Sequence, residues 1–159
     1  MGSLGYHTKR KVFYSKQGIG AAPLICYESI YGEFVAEFVR NGAQILLIIT
    51  NDGWWGNTPG HEQHLSFARL RAIECRRSVA RSANTGISGF VNQRGDLQEA
   101  TAYWVQDARK KTLFANEELT LFARYGDALG RTSVFLSILL ILIGITVYFK
   151  KEKPGDVKE

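Results

Sequence analysis

Residues 132–149 read TSVFLSILLILIGITVYF, 18 positions without a charge, between Arg131 and the pair Lys150 and Lys151. At about 1.5 Å per residue a helix of that length reaches about 27 Å, enough to cross the hydrocarbon core of a bilayer. A buried globular helix would need apolar partners on every side, and the rest of a 159-residue chain is too small to supply them. The run stands at the wrong end for a secretory signal. Gly144 and the β-branched residues are tolerated in lipid, and Tyr148 near one end suits the interface. The run therefore predicts a transmembrane helix over residues 132–149, which leaves residues 1–131 as the folded part and residues 150–159 as a basic tail.

The flanks give an orientation. The tail carries Lys150, Lys151, Lys153 and Lys158, whereas the twenty residues before the run carry only Arg124 and Arg131. Lys and Arg collect on the cytoplasmic side, so the tail is expected in the cytoplasm and residues 1–131 outside it. The whole chain has a charge of +5, and the tail holds four Lys and three acids, which leaves +4 on residues 1–131. This mild excess suits anionic headgroups or a solvated Arg-rich face. It does not form a dense basic stripe with interleaved aromatics, so no nucleic-acid partner is expected. Hydrophobic residues at 45% and charged residues at 22% exclude disordered, collagen-like and heptad-repeat chains. Two Cys exclude a disulfide scaffold and a Cys-rich zinc module.

Within the folded part, short apolar runs alternate with helical spacing. Residues 21–26 (AAPLIC) read as a buried strand, 34–40 as a short helix stopped by Asn41 and Gly42, and 45–50 (ILLIIT) as a strand covered on both faces. Residues 51–60 (NDGWWGNTPG) form a loop, and 61–78 follow with helical spacing. Residues 79–82 and 89–92 read as short strands, 93–96 as a turn leading to a returning strand, and 103–114 as a weaker edge strand. The order β-α-β-α-β-β predicts a layered α/β domain.

Cys26 ends the first apolar run and is followed by Tyr27 and Glu28. Strand ends are where α/β folds present reactive side chains. The Tyr27 N–H is placed to meet a developing oxyanion, and Glu28 to accept a proton or orient a neighbour. A single Cys in this place also suits a small buried hydrophobe, as Cys75 does mid-helix. Trp54 and Trp55 in a Gly-rich loop suit a ligand pocket or lipid interface, or one of them caps the core. Glu74 either serves a site or pairs with Arg71, Arg77 or Arg81. His61 and His64 are spaced i, i+3, not the i, i+4 of metalloproteases, and no metal ligand set or cofactor is expected. Arg94, Gly95 and Asp96 read as turn chemistry.

Four ordered motifs then carry a resemblance. They are PLICYE at 23–28, TNDGWWG at 50–56, QH at 63–64 with ARLRAIE at 68–74, and RSANTGIS at 81–88. Together with a span behind them, they resemble the apolipoprotein N-acyltransferases, membrane members of the nitrilase (carbon–nitrogen hydrolase) superfamily. The resemblance runs from about Pro23 to Asp96. It implies part of a nitrilase-like α-β-β-α sandwich on the periplasmic side of the bacterial inner membrane, followed by one C-terminal transmembrane helix. It also implies transfer of a fatty acyl chain from a phospholipid donor to the N-terminal amine of a diacylglyceryl-cysteine lipoprotein, through a Cys thioester. Cys26 matches the nucleophile, Tyr27 the residue whose N–H helps hold the oxyanion, and Glu28 a carboxylate beside it. Trp54, Trp55 and Glu74 match the aromatic loop and the helix that line the substrate site.

The family completes its triad with a Glu and a Lys well upstream of the Cys. Here only 25 residues precede Cys26, the first Glu is Glu28, and Lys9, Lys11 and Lys16 lie too close in sequence to match that lysine. The chain therefore reads as a C-terminal fragment lacking the N-terminal half of the same enzyme, with poor stability and little activity expected in isolation. Two other readings are a membrane-tethered amidase or nitrilase, and a non-catalytic membrane-anchored module.

Overall fold

The computed structural model describes residues 9–151. They fall into two compact units, one up to Gly126 and one from Asp127 onward. The first is built on a six-stranded sheet whose strands lie in chain order: β1 (Phe13–Tyr14), β2 (Gly20–Ile25), β3 (Ile45–Thr50), β4 (Ser78–Ala83), β5 (Gly89–Val91) and β6 (Leu97–Gln98). β2, β3 and β4 pair in parallel, and the outer pairings are antiparallel. Parallel neighbours need crossover helices, and α1 (Gly32–Arg40) and α2 (Gly60–Cys75) supply them.

Alternation along the strands decides which face the helices cover. Leu24, Leu46, Ile48 and Val79 are buried against Val35 and Val39 of α1 and Ala68 and Ala72 of α2. Each fully buried aliphatic side chain contributes about 2 kcal/mol of transfer free energy. The opposite face is apolar but largely open among the described residues: Ile25 is 54% and Ile49 56% exposed. Residues 107–109 pass over part of it and leave a cavity of ≈ 470 Å³. The sequence reads β3 as covered on both faces; the helices here cover one.

Other boundaries follow local chemistry. α1 stops where expected, with Asn41 N–H bonded to Glu37 O and Gly42 turning at φ +100°. α2 stops at Cys75, three residues short of the expected end, because Arg76 takes the left-handed conformation at φ +48°. The buried Arg77 guanidinium then ties the carbonyls of Ala43, Cys75 and Glu118 together. The strand expected over residues 103–114 does not form. Trp104 sits at φ +62° and breaks the extended run, which continues as an irregular segment anchored by Ser78 Oγ donating to Phe114 O at 2.8 Å. The short helix α3 (Leu121–Tyr125) has no counterpart in the sequence reading; Thr120 Oγ1 caps it by accepting from Ala123 N–H.

Among the described residues the second unit is the helix α4 (Ala128–Lys151), of which Ala128–Lys150 is long and apolar enough to cross a membrane. It starts four residues before the uncharged run, where Asp127 accepts from the Gly130 N–H at 2.8 Å. Two of its hydroxyls bond back to the helix, Ser137 to Ser133 O at 2.8 Å and Thr146 to Leu142 O at 2.9 Å, which satisfies their hydrogens as an apolar solvent requires. The tail residues Lys153 and Lys158 lie outside the described residues.

Candidate active site

The parallel strands β2 and β3 end side by side, with Ile25 opposite Ile49. Immediately beyond, Cys26 adopts φ +51° and opens a tight 3-10 turn over Cys26–Ile30. A left-handed conformation is costly for a residue with a Cβ and persists only where surrounding bonds hold it. Two such bonds are present, and a ring nitrogen stands beside them. Glu28 Oε2 reaches back to accept the Ile25 N–H at 2.7 Å. The buried Ser29 Oγ donates to the Cys26 carbonyl at 2.8 Å. His64 Nε2 stands 3.2 Å from the same carbonyl oxygen. The turn leaves the Cys26 side chain half-buried, with Thr50 Oγ1 of β3 at 3.3 Å from Sγ.

Behind Thr50 lies a charged cluster that solvent does not reach. Asp52 is fully buried, and His64 and Arg81 nearly so. Asp52 Oδ1 receives the Thr50 hydroxyl at 3.0 Å and faces His64 Nδ1 at 3.1 Å. Asp52 Oδ2 takes Arg81 Nη2 at 2.6 Å, and Arg81 Nη1 donates to the Ile87 carbonyl. Burial alone would raise the Asp52 carboxyl. The hydrogen bonds from His64 and Arg81, the Arg81 charge and the Thr50 hydroxyl outweigh it and bring the group from 3.8 down to about 2. Gly86 packs against this carboxylate, and a Cβ there would overlap Asp52 Oδ2.

The residues singled out from sequence divide into two groups. Cys26, Tyr27 and Glu28 share the turn, and Tyr27 lies on the His64 ring with centroids 5.9 Å apart. Trp55 joins them, 5.8 Å from Tyr27 and 5.4 Å from His64. Trp54 points outward, 82% exposed. Glu74 is not gathered here. It lies ten residues beyond His64 on α2, about 15 Å along the helix, and pairs with Arg71 at 3.1 Å. Cys75 is fully buried, and burial together with the Glu74 charge pushes its thiol up to about 12. His61 stacks on Tyr103 at 4.1 Å. In the turn after β5, Asn92 Oδ1 accepts from the N–H groups of Arg94 and Asp96, and Gly95 takes φ +86°.

Thr50, Asp52, His64, Arg81 and Gly86 were not recognised as one group from the sequence. A second cavity of ≈ 470 Å³ opens beyond the end of β4, lined by Asn84, Thr85, Trp104 and neighbours. The Asn84 N–H bonds to the Thr50 carbonyl at 3.0 Å, which ties that cavity's rim to the end of β3.

Residues 5–123 match the sequence model of the family described as Carbon-nitrogen hydrolase. The chain is 37% identical over 133 residues to an apolipoprotein N-acyltransferase of Chlorobaculum tepidum, covering 82% of this chain and 25% of that protein. To an apolipoprotein N-acyltransferase of Thermotoga maritima it is 34% identical over 134 residues, covering 82% of this chain and 27% of that protein. It spans about a quarter of the length of these curated relatives. Among solved structures, an amidase from Nesterenkonia sp. superposes with a TM-score of 0.54 at 20% identity, over 81% of this chain and 49% of the amidase. The last likeness concerns the fold, a nitrilase-like sheet carrying helices.

Proposed function

This chain belongs to the carbon–nitrogen hydrolase family, and from that premise we propose that it is the nucleophile-bearing part of an apolipoprotein N-acyltransferase. The observation that carries the reading is Cys26 itself. It is held at a left-handed turn at the end of a central parallel strand, half-buried, with a hydroxyl at its sulfur. Such a turn lifts a side chain clear of the backbone toward a substrate.

In the proposed reaction, Cys26 Sγ attacks the ester carbonyl of a phospholipid. A C–S bond forms, the ester C–O bond breaks, and the leaving alkoxide takes the proton shed by sulfur. The lipoprotein's α-amine then attacks the thioester, an amide C–N bond forms, and the amine proton returns to the departing thiolate. A thiol suits both halves because its anion is both a good nucleophile and a good leaving group. The Tyr27 N–H stabilises the oxyanion, Glu28 fixes the turn, and Trp54 and Trp55 contribute to the lipid-binding surroundings, while Glu74 stays apart in its pair with Arg71.

The general base and the lysine come, in this proposal, from an N-terminal half of the same enzyme packed on the open sheet face. The exposed Ile25 and Ile49 support it, because an apolar face of this kind needs a cover. Residues 1–131 would stand in the periplasm, 132–149 would cross the inner membrane, and 150–159 would lie in the cytoplasm.

The test joins this chain in frame behind the preceding portion of a curated relative and supplies a phospholipid with a labelled acyl chain. A hydroxylamine-sensitive label is expected on Cys26, absent in Cys26→Ala and retained in Cys75→Ala. Undiminished labelling of Cys26→Ala would overturn the proposal.

A further inference from the structure

We propose that Thr50 is a catalytic residue whose single hydroxyl hydrogen alternates between Asp52 and the Cys26 sulfur as that sulfur changes charge. The inference rests on the reading of Cys26 as the nucleophile. It comes from counting hydrogens. Thr50 Oγ1 stands 3.0 Å from Asp52 Oδ1 and 3.3 Å from Cys26 Sγ, but a hydroxyl has one hydrogen to give.

With Cys26 as a thiol, S–H donates to Thr50 Oγ1, and the Thr50 O–H donates to Asp52. With Cys26 as a thiolate, the sulfur has only lone pairs to offer, and the hydroxyl turns to donate to it. Asp52 tolerates the loss because Arg81 Nη2 still holds Oδ2 at 2.6 Å and His64 Nδ1 still faces Oδ1 at 3.1 Å. The buried cluster thus supports a donor that is free to move. Thr50 is 6% exposed, so water does not replace the hydroxyl readily. Of the other charged or titratable groups around the turn, Glu28 is engaged by the Ile25 N–H and Tyr27 lies over the His64 ring. In acyl transfer the same hydroxyl would steady the sulfur anion twice, before attack and again when the thioester releases it.

Alkylation by iodoacetamide tests this without acyl donor or lipoprotein, so its result is separate from the success or failure of the acyl-transfer reading. In that reaction sulfur forms a C–S bond, iodide leaves, and the proton passes to buffer. The purified 159-residue chain in detergent is treated across pH 5–10, and the modified Cys26 peptide is quantified by mass spectrometry. Thr50→Val should slow alkylation about tenfold at neutral pH and move the midpoint of the profile up by about one unit, the size of one lost hydrogen bond to an anion. At high pH its rate should equal or exceed that of the unmodified chain, because a thiolate without its donor is the stronger nucleophile. Thr50→Ser should restore the original profile.

A Thr50→Val profile that coincides with the original, or one slowed equally at every pH, would overturn the proposal. Thr50→Ala removes the hydroxyl without the second methyl of Val and should act in the same direction. If both Val and Ala variants lose cooperative unfolding while Ser keeps it, the hydroxyl is structural and the proposal is equally overturned.

Discussion

Arg81 Nη2 meets Asp52 Oδ2 at 2.6 Å in an ion pair that solvent does not reach, between a strand interior and the loop that follows a different strand. The pair fixes the loop start against the sheet and, through Thr50 and His64, holds the surroundings of Cys26. Asp52 titrates near 3.8 when free and at about 2 here, so the folded chain releases that proton more readily than the unfolded chain. Its contribution, about 2 kcal/mol, is fully present above pH 4 and is lost as pH falls from 4 toward 2. Asp52→Asn should flatten the acid limb of a stability–pH curve measured by denaturant unfolding. At pH 7 it should cost about 3 kcal/mol, because Arg81 stays buried without its counter-charge. An unchanged acid limb would show that Asp52 does not govern it.

Gly86 is the steric complement of that carboxylate. A methyl group at this position would overlap Asp52 Oδ2 and press on its Cβ. Gly86→Ala should therefore lower stability by about 2 kcal/mol, as overpacking in a rigid interior does. Cys26 alkylation should change with it, because Asp52 and Thr50 move together. Gly144→Ala, where open space surrounds the position, should leave the unfolding of the first unit unchanged. Equal effects of the two substitutions would refute the packing argument.

Much of this architecture was legible because it is local. The run ILLIIT became β3 with its bounds unchanged, Asn41 and Gly42 ended α1, and the uncharged run 132–149 lies within one continuous helix. The buried cluster was not legible, because its members come from β3, α2, β4 and two loops and meet only in the fold. Two signals were nevertheless present. Arg81 follows Val79 at the strand period of two, which places a guanidinium on the core face and demands a buried acceptor. His64 shares the face of Ala68, Ala72 and Cys75 at helical spacing, so it points inward and needs polar partners. The failed strand over 103–114 had apolar residues enough; the positive φ at Trp104 depends on its surroundings rather than on its residue type.

The two thiols should behave differently. Cys75 is fully buried and pushed up to about 12, whereas Cys26 is half-buried. At pH 8 a maleimide should modify one thiol per native chain, at Cys26, and two in denaturant. Since the thiolate is the reacting species, a buried group raised this far reacts slowly even where reagent penetrates. Modification of Cys75 at a comparable rate in the native chain would contradict its burial.

Orientation of α4 is testable independently of chemistry. The proposed topology places the C-terminus in the cytoplasm on the strength of Lys150, Lys151, Lys153 and Lys158. A phosphatase reporter that matures only in the periplasm, fused after Glu159, should be silent, and a cytoplasmic reporter at the same place should be active. The reverse pattern would place residues 1–131 in the cytoplasm and remove the periplasmic assignment.

The last prediction concerns turnover by the 159-residue chain itself. Among the described residues, the groups that reach Cys26 are Ser29, Thr50 and His64, while Lys9, Lys11 and Lys16 are exposed. The Thr50 hydroxyl can steady a thiolate, but it supplies no positive charge to a developing oxyanion. Each missing electrostatic contact of that kind is worth about 3 kcal/mol, so if the base and lysine come from another portion, as proposed, the chain by itself should lose several orders of magnitude in rate. The open sheet face should lower the yield of folded chain as well, and Ile25 and Ile49 are where a cover would act. Acylation of a diacylglyceryl peptide by the purified chain, in detergent with phospholipid, should therefore be undetectable beside an intact relative. Adding a separately expressed N-terminal portion of such a relative should restore it. Turnover by the chain alone at the relative's rate would mean that its own residues, with Glu28, Glu33 or a lysine among 9, 11 and 16, complete the site.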